Sequence, residues 1–266
     1  MRLIDLRHLG RERVIGSWHV GDVLIDPGPE SCTRELLRRL PEPPKAILLT
    51  HIHLDHAGAT GALVERWPDV SVYVHERGAR HLADPSRLVR SAARLHGADM
   101  NRLWGRIAPV PAENLRPLGG DMTILGTFRV ADTPGHASHH VSYLHERSGW
   151  AFTGDVAGVR IPPAEYVLMP TPPPDIDVRA WKRSLTRLRS WQPTTLAPTH
   201  FGSFHDVDAH LTQAGERLDQ WAGRARTMDE QAFLTAVESD VPVAAYAQAA
   251  PLEHHYLGLR RYLSRS

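Results

Sequence analysis

Long apolar runs are missing from this 266-residue chain. No stretch reaches the 18 or more continuous apolar residues that a membrane-spanning helix needs, so no membrane partner is expected. Cysteine is all but missing. Cys32 stands alone, which excludes an internal disulfide and fits a reducing, cytoplasmic setting. The first ten residues carry charge at Arg2, Asp5 and Arg7 and no apolar segment, so no secretory leader is expected. Lysine is reduced to Lys45 and Lys182, and the net charge is only +1. So small a charge gives no reason to expect nucleic acid as a partner. Apolar content is ordinary, 42% hydrophobic against 23% charged. That is the composition of a soluble globular protein, long enough to bury a sizeable core.

What the chain has in surplus is histidine, 17 residues. A surplus alone says little, and position decides. Apolar runs at Ala46–Leu49, Val70–Val74, Val141–Leu144, Trp150–Thr153 and Thr195–Ala197 read as strands, with longer strand runs at Val20–Ile25 and Met122–Val130. Helical spacing appears in Thr33–Leu40, Ala57–Trp67 and Val178–Trp191, the last with Trp181, Leu185, Leu188 and Trp191 on one stripe. Residues 77–116 are Arg-rich, with Leu88, Ala92 and Leu95 at helical spacing, and read as a helical insertion. From Val207 to the end the pattern is helical. Strands alternating with helices predict a layered α/β domain, here one domain over 1–266 with an insertion at about 77–116 and a helical extension at about 207–266.

Four potential ligands fall within six residues in His51-Ile52-His53-Leu54-Asp55-His56, directly after the strand that ends at Leu49. Imidazole and carboxylate are the donors that divalent zinc favours. Three further donors also follow predicted strands. They are His136 in Thr133-Pro134-Gly135-His136, Asp155 in Thr153-Gly154-Asp155, and His200 in Pro198-Thr199-His200. Loops at strand ends let a rigid sheet aim several side chains at one point. His139 and His140 either orient a ligand from behind or pack at a strand edge. His75, His81, His205, His210, His254 and His255 read as structural. Tyr166, in the Pro-rich loop after Asp155, is a candidate to donate to a substrate oxygen or else packs that loop. Trp104 either walls the site or packs within the insertion.

HxHxDH, TPGH, TGD and a late strand-end histidine, in that order over about residues 15–205, resemble the metallo-β-lactamase superfamily. The run Thr133–His140 followed by Phe152–Asp155 is most similar to its hydroxyacylglutathione hydrolase (glyoxalase II) branch, and the insertion and helical C-terminus to an uncharacterised prokaryotic subgroup. The resemblance implies an αββα sandwich and two divalent metal ions, zinc foremost, with iron or manganese as alternatives. It implies that His51, His53 and His136 hold one ion, that Asp55, His56 and His200 hold the other, and that Asp155 bridges them. The implied activity is a dinuclear hydrolase that turns a metal-bridging hydroxide, aimed by Asp55, on a small-molecule ester, lactone or thioester. A phosphodiesterase, or a mono-iron oxidoreductase like the persulfide dioxygenases, is the alternative. True β-lactamases of the superfamily generally lack the bridging aspartate that stands here as Asp155. In place of the Cys-Gly-Arg segment of the glyoxalase II proteins stands Val156-Ala157-Gly158-Val159-Arg160.

Overall fold

The structure is a computed structural model and describes residues 1–265. Ser266, the last residue of the predicted C-terminal extension, lies outside the described residues. The chain divides into two compact units, Met1–Gly120 and Asp121 onward.

The first unit is built on a six-stranded sheet in sequence order. Its strands are β1 (Arg2–Asp5), β2 (Gly16–Val20), β3 (Val23–Ile25), β4 (Ala46–Leu48), β5 (Ser71–His75) and β6 (Leu115–Leu118). β1 to β3 pair antiparallel and β3 to β6 pair parallel. Parallel neighbours need a crossover, and helices supply each one. α1 (Thr33–Arg39) links β3 to β4, while α2 (Leu54–Ala57) and α3 (Thr60–Arg66) link β4 to β5. The insertion α4 (Glu76–Ala83), α5 (Ser86–His96) and α6 (Met100–Trp104) links β5 to β6. β4 is buried along its whole length, as a strand flanked on both sides by parallel neighbours should be. Leu49 N–H still bonds to Tyr73 O beyond its end, so Thr50 and His51 leave the sheet on a firmly held strand.

Two expectations change here. The apolar run Val20–Ile25 is not one strand but the turn of a hairpin. Val20 pairs with Val23, and Gly21, at φ +62°, reverses the chain in a two-residue loop. The insertion is helical as predicted, but its last residues, from Leu115, form edge strand β6, where Pro117 is tolerated.

The second unit carries a five-stranded sheet in the order β11-β10-β9-β8-β7. The strands are β7 (Met122–Ile124), β8 (Phe128–Asp132), β9 (Val141–His145), β10 (Trp150–Gly154) and β11 (Thr195–Pro198). Only β10 and β11 pair parallel, and α7 (Val178–Ser190) makes that crossover. The predicted run Met122–Val130 is again a hairpin, turned by Leu125 and Gly126, both at positive φ. The helical C-terminus follows as α8 (Val207–Thr227), α9 (Glu230–Asp240), α10 (Val243–Tyr246) and α11 (Glu253–Leu263). Trp181, Leu188, Trp221, Phe233, Tyr246 and Leu259 are fully buried in one apolar cluster. The α7 stripe read from sequence is therefore the face that enters the core. Among the described residues no helix is long and apolar enough to cross a membrane.

His210 of α8 sits inside this core and donates from Nε2 to Ala157 O at 2.8 Å. Burial pushes its pKa down to about 4, whereas in the unfolded chain it titrates near 6.5. As pH falls from 6.5 towards 4 the unfolded chain takes up a proton that the folded one refuses, so stability drops in that window. The cost is on the order of 1 kcal/mol per pH unit. His210→Gln keeps an N–H donor and does not titrate. Its urea midpoint should fall less than that of the wild type between pH 7 and pH 4.5. Parallel acid profiles for the two proteins would show that His210 is not the group responsible.

Candidate functional site

In the first unit the donors of the HxHxDH stretch cluster around a residue that sequence reasoning missed, Asp26. It sits one residue past β3, at φ +49°, a left-handed conformation that aspartate tolerates better than most residues. Its buried carboxylate accepts from Thr50 N–H at 2.8 Å and from Thr50 Oγ1 at 2.7 Å. It also accepts from His56 Nδ1 at 2.9 Å. The His56 Nδ1 proton is therefore committed to Asp26, and Nε2 carries the lone pair. The same logic fixes His51. Thr50 Oγ1 gives its proton to Asp26, so it accepts from His51 Nδ1 at 3.1 Å, which puts the lone pair on His51 Nε2. That atom lies 3.0 Å from His53 Nδ1. Two nitrogens sharing a tetrahedral zinc at its usual bond length stand about 3.3 Å apart, so the spacing suits a shared cation. Asp55 lies in the first turn of α2, with its Oδ2 3.7 Å from His56 Nε2. Gly28 N–H bonds to His56 O at 2.9 Å and ties the Asp26 loop to α2.

In the second unit the structure brings His136, Asp155 and His200 together, all buried. Gly135 makes the turn before His136. Its φ is +140°, and a Cβ there would meet Trp181 Cα and Cβ at 2.3 Å, so only glycine fits. His136 Nδ1 donates to Pro170 O at 2.8 Å and turns Nε2 to Asp155 Oδ2, 3.3 Å away. The other oxygen, Asp155 Oδ1, faces His200 Nε2 at 3.7 Å. One carboxylate thus serves two imidazoles, one oxygen each.

The remaining candidates have partners of their own within their units. Trp104 stacks on His8 at 5.5 Å and meets His96 edge-on at 5.1 Å. Ser31 Oγ and His8 Nε2 both reach Leu103 O and pin α6. Tyr166 is half-buried in its loop, with the Arg217 guanidinium 4.5 Å over its ring and Tyr246 edge-on at 6.2 Å. Burial pushes its pKa up. His140 is buried, its Nδ1 2.9 Å from Thr133 Oγ1, and its ring lies edge-on to His136 at 6.3 Å. His75 accepts from Arg77 N–H and caps α4, a structural part as expected.

Five imidazoles and two carboxylates form a hard-to-borderline donor set suited to zinc, iron or manganese. The His and Asp residues of both sets are candidates to hold metal ions. Three of the rings, His51, His56 and His136, have Nδ1 committed to an oxygen, the usual way in which a metal-binding imidazole is oriented. The donors fit a metal.

A family model described as the metallo-β-lactamase superfamily matches residues 21–200, a span that takes in all seven donors. The probable metallo-hydrolase YqgX of Bacillus subtilis is 34% identical over 137 residues, 50% of this chain and 60% of that protein. The chain thus spans less than two thirds of that curated relative. Among solved structures, the archaeal metallo-β-lactamase superfamily protein ST1585 from Sulfolobus tokodaii superposes with a TM-score of 0.69. It is 25% identical, and the match covers 93% of each chain. TTHA1623, solved in a di-iron-bound form, gives 0.56 at 29% identity over 75% of this chain and 91% of the other.

Proposed function

This chain belongs to the metallo-β-lactamase superfamily, and from that premise we propose that it is a dinuclear metal-dependent hydrolase of a small-molecule ester, lactone or thioester. The observation that carries the reading is the state of the rings. His51, His56 and His136 each spend the Nδ1 proton on a neighbouring oxygen, which puts the lone pair on Nε2. In this reading His51, His53 and His136 would hold one ion, Asp55, His56 and His200 would hold the other, and Asp155 would serve both. Seven donors exceed what one tetrahedral ion takes. The Asp155 posture, one oxygen to each of two imidazoles, supports a bridging role.

Bound divalent ions would supply an acidified water and a polarised scissile oxygen. The chain supplies the rest. Asp55, partly open to solvent, accepts the hydrogen bond that aims the attacking water. Asp26 and Pro170 hold the ligand rings still, so no reorganisation is needed at the moment of reaction. Zinc is the first choice of metal, and iron gains support from the di-iron form of TTHA1623. The lone Cys32 supports a cytoplasmic setting. The TPGH and TGD segments, similar to those of the glyoxalase II branch, favour thioesters and esters over phosphodiesters.

Elemental analysis of purified protein should return two equivalents of metal per chain. Chelation should abolish turnover on a panel of p-nitrophenyl esters, lactones, thioesters and phosphodiesters, and re-addition of zinc should restore it. One equivalent of iron with oxygen consumption would instead select the mono-iron oxidoreductase and overturn the reading.

A further inference from the structure

The ring of His136 is oriented by the carbonyl of Pro170, and that carbonyl lies in a stretch with little regular structure of its own. Residues 161–174 contain six prolines, which cannot donate ladder hydrogen bonds. An orienting carbonyl is useful only if it is itself held, and the C-terminal helix α11 holds it. His255 Nδ1 accepts from Thr171 N–H at 2.9 Å. Thr171 Oγ1 donates to His255 O at 3.3 Å.

Pro170 C=O and Thr171 N–H are the two ends of a single peptide group, which is planar and stiff. His136 therefore donates to one end of that plane while His255 accepts from the other. A tilt of the plane moves both bonds together, and bonds in such a chain polarise one another. A second contact fixes the same spot. Gly258, one turn further along α11, lies so close that a Cβ there would sit 2.0 Å from Thr171 O and 3.0 Å from Pro172 C. The obstructing atoms are backbone and cannot swing aside.

We propose that His255 is a positioning residue for the metal-ligating ring of His136, acting through the Pro170–Thr171 peptide, with Gly258 setting the distance. The proposal rests on the metal-binding reading above. Its chemistry is consistent with the state of the ring. His255 is fully buried beside Trp221, ring centroids 5.1 Å apart, and burial pushes its pKa down to about 3. The imidazole stays neutral in any ordinary buffer, and Nδ1 always has a lone pair for Thr171.

The test compares full-length wild type, His255→Asn, His255→Phe and Gly258→Ala. One readout is the His136 Nδ1–H resonance of ¹⁵N-histidine-labelled, metal-free protein. The other is zinc affinity, by competition with a chromophoric chelator. Asparagine places an amide oxygen near the Nδ1 position, so it should keep the resonance and bind zinc within a few-fold of wild type. Phenylalanine has no acceptor. It should shift or lose the resonance and weaken zinc binding by roughly 10-fold or more, and Gly258→Ala should do the same. Phe233→Leu, in the same core but with no side-chain hydrogen bond to the Pro170–Thr171 peptide, controls for general destabilisation and should leave both readouts unchanged. The proposal is overturned if folded His255→Phe keeps its zinc affinity and the His136 resonance, or if Phe233→Leu loses as much. If His255→Phe does not fold, Gly258→Ala decides, and unchanged zinc affinity there overturns the proposal. A wild type that binds no zinc, yet whose His136 resonance depends on residue 255, would remove the metal reading and leave the positioning intact.

Discussion

Asp155→Asn should yield a folded protein that binds at most one metal ion firmly and has lost at least ~100-fold of its turnover, about 2.7 kcal/mol in the barrier. The amide is nearly isosteric with the carboxylate, so the packing around this buried position survives. What changes is charge and donor type. The wild-type carboxylate turns Oδ2 to His136 and Oδ1 to His200. An amide offers one oxygen and one N–H₂ group, and the N–H₂ cannot face a cation. The negative charge that would offset repulsion between two close cations is also gone. Circular dichroism should match the wild type while metal content and kcat fall together. Cys32→Ser is the matching control. Burial pushes the Cys32 thiol up to about 11, so it stays protonated and is no nucleophile, and the variant should turn over normally. Full metal content with near-native turnover in Asp155→Asn, or an inactive Cys32→Ser, would refute the assignment.

Asp26→Ala should cost both stability and metal. The carboxylate takes three buried hydrogen bonds, from Thr50 N–H, Thr50 Oγ1 and His56 Nδ1. Removing it leaves those donors without their acceptor, at about 1–3 kcal/mol for each. A loss on the order of 3–5 kcal/mol is a large share of a typical folding free energy of about 5–15 kcal/mol. Asp26→Asn separates the two effects. Its oxygen still receives Thr50 N–H, but its N–H₂ then faces His56 Nδ1, a donor against a donor. The ring can answer only by moving its proton to Nε2, the atom that would face a metal. Urea unfolding should therefore place Asn between Ala and wild type, while zinc affinity should fall for both. Unchanged zinc affinity in Asp26→Asn would show that the aspartate braces the loop and does not set the ring.

Much of this was legible in sequence, for identifiable reasons. The seven donors stand out because each follows a strand or opens the next helix, and such sites leave turn residues such as Pro134 and Gly135 in the string. The hairpins at Gly21 and at Leu125–Gly126 were hidden, because apolar residues on both sides of a two- or three-residue turn look like one continuous strand. Asp26 is hidden in sequence because Asp-Pro-Gly reads as a turn. Its partners stand 24 and 30 residues away, beyond any periodicity. His255 reads as structural in sequence. Its link to His136 runs through a backbone peptide, which leaves no mark on residue identity. Tyr166 and Trp104 were ambiguous because an aromatic that packs a loop and one that lines a pocket have the same sequence context.

The crowding of His51, His53, Asp55 and His56 into six residues has a consequence for the unfolded chain. Those donors remain neighbours when every sheet is melted, so a denatured molecule still offers a cation a chelating segment. A ligand stabilises a fold only by the excess of its affinity for the native over the unfolded chain, and this segment subtracts from that excess. His136, Asp155 and His200, drawn from three strand ends 19 and 45 residues apart, are dispersed on unfolding. Any dependence of folding on metal would therefore rest on those three, and a surplus of metal during refolding would occupy the local segment before the sheet that carries the others has formed.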